Sequence, residues 1–150
     1  MEPTYRPAIS SDAGELLGLR RGSILALAPR GMPRADAETW AMTLSLDGMH
    51  EKLTALEIWV AEAGCQILGW VAFTDDRLEG LYVGAAFAQR GVGSGLLALT
   101  ERVMRERKIP AMRALASANA IGFYLRLGFE PTAPLAADGT QRIVKRLDSA

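Results

Sequence analysis

Apolar residues at Leu16, Leu17, Ile24 and Leu27, with Arg20 on the same stripe, carry helical spacing up to about Ala28. Ser10-Ser11-Asp12 supplies capping side chains ahead of that helix, and Glu15 stands three residues after Asp12 as in a capping box. Before it, Thr4 to Ile9 reads as a strand, held to a sheet edge or strand end by Pro7. Pro29-Arg30-Gly31-Met32-Pro33 breaks the chain, and a second helix is expected from about Arg34 to Leu46. Met49 to Leu56 is expected to be a short helical turn or loop, with His50 solvated. The period then changes. Glu57 to Ala63 and Cys65 to Thr74 read as a hairpin turning at Gly64, marked by Trp59, Ile67, Trp70 and Phe73. Asp75-Asp76 is a turn and Leu78 to Val83 the next strand.

The stretch that follows is Gln89-Arg90-Gly91-Val92-Gly93-Ser94-Gly95, and then a long amphipathic helix from Val92 to about Arg107, ended ahead of Pro110. Met112 to Ala116 is a short strand. Ser117 to Leu127 is expected to be a helix with Gly128 as its C-cap. Phe129-Glu130 opens another strand, which pairs with Thr140 to Leu147. The order is β-α-α-β-β-β-α-β-α-β-β, with no repeat and no linker, so residues 1–150 read as one domain.

Composition narrows the function. Seventeen basic and seventeen acidic residues cancel, which favours neither nucleic acid nor an anionic membrane as partner. No run is long enough to cross a bilayer. One His and one Cys make no metal site. Cys65 allows no disulfide within the chain and sits in an apolar strand pattern, so it reads as a small core residue in a cytoplasmic protein.

The glycine turn carries the chemistry. Glycines at alternate positions let a ligand approach the backbone closely. A helix begins there, and its first N–H groups have no partner inside the helix. With the helix dipole and Arg90 they suit a pyrophosphate. A connector whose glycines only relieve crowding is the competing reading. A P-loop would need Lys and Ser or Thr after the last glycine, where this chain has Leu96-Leu97. A dinucleotide fold wants the turn after its first strand, with different glycine spacing.

A second segment decides between these readings: Ser117-Ala118-Asn119-Ala120-Ile121-Gly122-Phe123-Tyr124-Leu125-Arg126-Leu127-Gly128-Phe129. Together with Leu81-Tyr82-Val83 and Arg90 to Leu97 it resembles the GNAT superfamily of N-acetyltransferases. Both signatures stand in family order, and the element order matches over nearly the whole chain. The chain departs from the usual pattern at Ala85, Ala88 and Ser117, where members often carry Pro, Gln or Arg, and Asn. The resemblance implies an α/β fold. Its sheet would be mixed and mostly antiparallel, of six to seven strands with about four helices, splayed at the strand before the glycine turn. It also implies acetyl-CoA as cosubstrate and no metal. Backbone N–H groups of Arg90, Gly91, Val92, Gly93, Ser94 and Gly95 would hold the pyrophosphate. The Leu81-Tyr82-Val83 strand would pair with the pantetheine arm as an added strand, Leu81 and Val83 through their main chain. Asn119 and Tyr124 would complete the cofactor contacts.

Acetyl transfer to an amine needs a deprotonated amine, a donor for the oxyanion and, at the leaving sulfur, a proton. Tyr124 is the expected acid, on a helix where the family often places a tyrosine near the sulfur; a core aromatic beside Phe123 is the other reading. Val83 N–H is the expected oxyanion donor. Glu79 is the candidate base, because period-two alternation puts it on one face with Leu81 and Val83. Glu62, Asp75, Asp76 or a water chain are alternatives. The acceptor side is expected from Ala28 to Asp36 and Trp40. Arg30 and Arg34 there could meet an acceptor carboxylate or belong to a solvated loop. The partners implied are acetyl-CoA and a primary amine of a small molecule or peptide; homodimers are common in the family. A CoA-binding domain of the same fold without catalysis is the alternative function.

Overall fold

In a computed structural model that describes residues 2–148, seven strands form one sheet in the order β1-β2-β3-β4-β5-β7-β6. The strands are β1 (Thr4–Pro7), β2 (Glu57–Ala63), β3 (Gln66–Thr74), β4 (Arg77–Val83), β5 (Ala111–Ala116), β6 (Glu130–Pro131) and β7 (Gln141–Arg146). The helices are α1 (Ala13–Leu27), α2 (Arg34–Ala41), α3 (Leu46–Ala55), α4 (Val92–Glu106) and α5 (Ile121–Arg126). Every strand pair is antiparallel except β4 with β5. This is the mixed, mostly antiparallel α/β architecture the sequence led us to expect.

Both faces of β3 are covered, which is why it is apolar almost throughout. Leu68, Val71 and Phe73 pack with Leu96, Leu97 and Met104 of α4. Ile67, Trp70 and Ala72 pack with Leu16 and Leu17 of α1 and Met49 of α3. Burying Phe73 completely contributes roughly 1.5–3 kcal/mol. Trp70 is also buried, and its indole N–H donates to the Leu16 carbonyl at 3.1 Å, tying sheet to helix. α4 comes close because Gly69 has no side chain: a Cβ there would meet the Tyr82 carbonyl at 2.9 Å and Val92 Cγ1 at 3.0 Å.

Several boundaries differ from expectation for local reasons. The second helix ends at Ala41, where the Thr43 hydroxyl donates to the Trp40 carbonyl at 2.7 Å. Ser45 Oγ then accepts from Gly48 N–H at 3.0 Å and starts α3, so 46–55 is a true helix rather than a loop. The expected capping box at Asp12 and Glu15 does not form. Asp12 instead accepts from Ile9 N–H at 2.8 Å and pairs with Arg6 at 2.9 Å, while Glu15 accepts from Ile67 N–H at 3.0 Å. The helix after β5 begins only at Ile121, leaving Ser117 and Asn119 in a turn that their side chains close at 2.9 Å. Cys65 is exposed in the β2–β3 turn beside left-handed Gly64, not in the core. His50 is exposed, as expected.

Candidate functional site

β4 and β5 pair only at Arg77–Arg113 and Leu78–Ala114, and then part. On its other edge β4 stays paired to β3, and Gly84 N–H continues that ladder to the Leu68 carbonyl at 2.8 Å. Alternation along the ladder turns the amides of Gly80 and Tyr82 toward β3 and those of Leu81 and Val83 toward the gap. These two residues therefore present unpaired peptide groups to a cleft of about 1220 Å³ between β4 and β5. That exceeds the roughly 300–1,000 Å³ of a single small-ligand site.

At one end of the cleft the glycine turn leads into α4. Gln89 and Gly91 adopt left-handed φ of 63° and 83°, which lets the chain double back onto the helix. The first helical bond runs from Gly95 N–H to the Gly91 carbonyl at 2.9 Å. The N–H groups of Val92, Gly93 and Ser94 consequently have no partner among the described residues. Gly91, Gly93 and Ser94 line the cleft. Val92 turns its side chain into the core. Two expected contacts are corrected. Gly95 has already spent its N–H, and it is a glycine to admit Tyr5, whose hydroxyl would lie 2.1 Å from a Cβ. Arg90 is exposed and lies outside the cleft lining, where Gln89 stands instead.

Tyr124 lies in the cleft wall, 8% exposed, with its ring 5.2 Å from both Phe123 and Phe129. Its hydroxyl has no hydrogen-bond partner among the described residues. Burial pushes the phenol well above its ordinary range, with a smaller contribution from the nearby Tyr82 phenol. Such a group stays protonated at any working pH, so it is a donor and not a base. Asn119 lines the cleft too, its amide oxygen taken by Ser117.

Glu79 reaches the cleft, but not through the alternation the sequence suggested. The register jumps from Ala72–Gly80 to Phe73–Leu78, so Glu79 is a bulge residue with no partner on β3. Leu78 consequently joins Leu81 and Val83 on the α4 side. The Glu79 carboxylate lies 3.9 Å from Arg77 and is about one-third exposed. Of the other acids, Asp76 lines the cleft and pairs with Arg113 at 3.2 Å; Glu62 is held by Arg6 at 3.1 Å, outside it. Asp75 is exposed and does not line it.

Tyr82 takes the opposite face from Leu81 and Val83. Its ring lies back over Gly80, where a Cβ would meet Cε2 at 3.0 Å, and packs on Trp70 at 4.9 Å. The Arg20 guanidinium sits 5.5 Å from its ring centre, buried and without a carboxylate partner among the described residues. Ser23, Ile24, Arg30 and Trp40 continue the wall on this side. Arg34 does not reach it and pairs with Glu38 at 3.4 Å. The sequence reading missed Ser23, Arg113 and Arg142, which only strand register and helix facing bring to the cleft.

A gap for an amide-bearing arm, free N–H groups at a helix start and a buried phenol define a coenzyme A-type acyltransferase scaffold. A family model described as acetyltransferase (GNAT) domain matches residues 54–131, just over half of the chain. The chain belongs to the GNAT family of acetyltransferases. Solved structures share the fold. A GCN5-related N-acetyltransferase from Rhodopseudomonas palustris superposes with TM-score 0.89 at 20% identity, over 97% of this chain and 96% of that one. The PaiA N-acetyltransferase of Thermoplasma acidophilum, in complex with coenzyme A, gives 0.84 at 18%, over 97% and 99%. YncA from Salmonella typhimurium, with its cofactor acetyl-CoA, gives 0.76 at 22%, over 100% and 96%. No curated protein matches. No helix among the described residues is long and apolar enough to cross a membrane.

Proposed function

We propose that the chain, as one domain, moves an acetyl group from acetyl-CoA directly to a primary amine within a ternary complex. The observation that carries this reading is the parting of β4 from β5 beside the free amides that open α4, with the Tyr124 phenol buried in the same cleft. Acetyl-CoA supplies an activated acyl carbon. Amides of Val92, Gly93 and Ser94 hold its pyrophosphate, and Leu81 and Val83 pair with its pantetheine arm. Val83 N–H then points at the carbonyl oxygen that gains charge as the amine adds. Glu79, or a water it orders, takes the proton the amine must shed. Tyr124 donates to the sulfur as the C–S bond breaks. No acyl-enzyme is invoked, because Cys65 is exposed in the β2–β3 turn and does not line the cleft.

The test is thiol release from acetyl-CoA across a panel of amines, with Tyr124→Phe alongside. Amine-dependent release that collapses in the variant supports the reading. Tight coenzyme A binding with no acetylation of any amine refutes it in favour of a sensing domain.

A further inference from the structure

We propose that the acceptor amine also carries a carboxylate, gripped by Arg142 and Arg30 on two lips of the cleft; this rests on the acetyl-transfer reading and narrows its substrate. The cleft is lined by five arginines but only two acids, Asp76 and Glu79. Each acid already faces an arginine: Asp76 faces Arg113 at 3.2 Å and Glu79 faces Arg77 at 3.9 Å. Arg30, Arg126 and Arg142 are left with no carboxylate partner among the described residues. The whole chain has zero formal net charge, so this excess is local to the cleft and not a reflection of a basic protein.

Coenzyme A phosphates account for one end only. Arg126 belongs to α5, whose Phe123 ring would lie 3.3 Å from a Cβ on Gly93, so it sits with the helix start. Arg30 and Arg142 line the same cleft from two other segments of the chain. Beside Arg30, Gly31 lies directly on the turn after β5: a Cβ there would stand 2.6 Å from Asn119 N and 2.9 Å from the Ala118 carbonyl carbon. Before Arg142, a Cβ on Gly139 would stand 3.1 Å from the Ala118 Cβ. Two connections therefore close on one point, Ala118, and bring their arginines to the same opening.

Strand register then sets the shelf between them. Met112, Ala114, Ala116 and Ile143 pack into the α4 core, so Arg113, Leu115 and Arg142 take the opposite face. Arg142 is the cross-strand partner of Leu115, which is 58% exposed. An apolar patch with a guanidinium at its edge matches an amine whose short carbon stem ends in a carboxylate. A planar guanidinium takes that group through two parallel hydrogen bonds.

Matched acceptors test this: amino acids against their α-carboxamides, and dipeptides against theirs, at saturating acetyl-CoA. Wild type is expected to favour the acid by about tenfold or more in kcat/KM, mostly through KM. The preference is expected to fall below about threefold in Arg142→Gln and in Arg30→Gln, and to fade with added salt. Arg34→Gln, on a guanidinium outside the cleft, is expected to keep it. Equal or better use of the amide by wild type, or a preference that survives both cleft substitutions, overturns the inference and leaves acetyl transfer standing. If coenzyme A fails to bind and no acceptor is used, both readings fall.

Discussion

Tyr124→Phe removes one oxygen from a site where every other contact is kept. The ring is 8% exposed and stacks edge-on against Phe123 and Phe129, 5.2 Å away on each side. Since the hydroxyl has no protein partner among the described residues, its loss orphans no donor or acceptor, and stability should change by less than about 0.5 kcal/mol. The kinetic effect is worked from the proton balance. General acid assistance contributes roughly 10²–10⁴-fold. A thiol has an ordinary pKa of about 8.5 and a phenol about 10, so transfer to sulfur is uphill and the gain belongs at the lower end. Burial raises the phenol further, although a thiolate desolvated in the same cleft is raised with it. The expected loss is about a hundredfold in kcat, or about 2.7 kcal/mol at 1.36 kcal/mol per tenfold. It should appear equally in kcat/KM, as for an interaction made only in the transition state. Burial also fixes a sign. The folded pKa lies above the unfolded value near 10, so Tyr124 leaves stability unchanged below about pH 10 and lowers it as pH rises above that, where the unfolded chain ionises first. Thiol-release kinetics beside thermal melts decide the matter. A kcat within about threefold of wild type in a variant of unchanged Tm refutes the role given to Tyr124.

Other perturbations follow from the same geometry. Asp12 is buried, and its carboxyl is held below the usual range by hydrogen bonds from Arg6 and Ile9 N–H, against the cost of burial. Its folded pKa lies below its unfolded value near 3.9, so its contribution is present above about pH 4 and is lost as pH falls through the folded pKa; Asp12→Asn should cost about 2 kcal/mol at pH 7 and flatten the acid limb of a Tm–pH curve. Gly69→Ala would drive a Cβ to 2.9 Å from the Tyr82 carbonyl and 3.2 Å from Leu96, and should destabilise by about 1–3 kcal/mol in chemical denaturation while weakening coenzyme A binding. Deleting Glu79 should straighten β4 and abolish coenzyme A binding, whereas Glu79→Gln should retain binding and lower kcat/KM by about tenfold or more; equal affinity in the two variants, by calorimetry, contradicts a structural role for the bulge.

Much of the fold is legible because each of its periods is continuous. Trp59, Ile67, Trp70 and Phe73 mark the central hairpin, and the glycine turn announces the helix it caps. What was hidden is what one side chain decides against the pattern. Trp40 and Leu44 carry helical spacing past Ala41, where α2 has already ended, and Ser45 then caps α3. Cys65 keeps the two-residue spacing to Ile67, yet Gly64 at φ 62° puts it on the outside of a turn. The glycine turn that opens α4 is written in backbone-demanding residues and could be read. On the other wall Arg30 and Trp40 could be read and line the cleft, but Arg142 reaches it only through its register opposite Leu115, and Ser23 only through the facing of α1.

The bulge joins these two ends. Without the extra residue, Leu78 would face α1 and β4 would carry its two-residue alternation unbroken past β5. With it, Leu78 remains in the α4 core at 7% exposure, while β4 leaves β5 from that point on. A bulge bends its strand and increases its twist, so the residue that breaks the register also stands where the gap begins. Glu79 is therefore placed at the apex of the cleft by the same irregularity that creates it. The amides of Leu81 and Val83 follow one and two side-chain periods further along, between that carboxylate and the start of α4. On the proposed function, backbone for the cosubstrate and a carboxylate for the acceptor thus come from the one strand of seven residues.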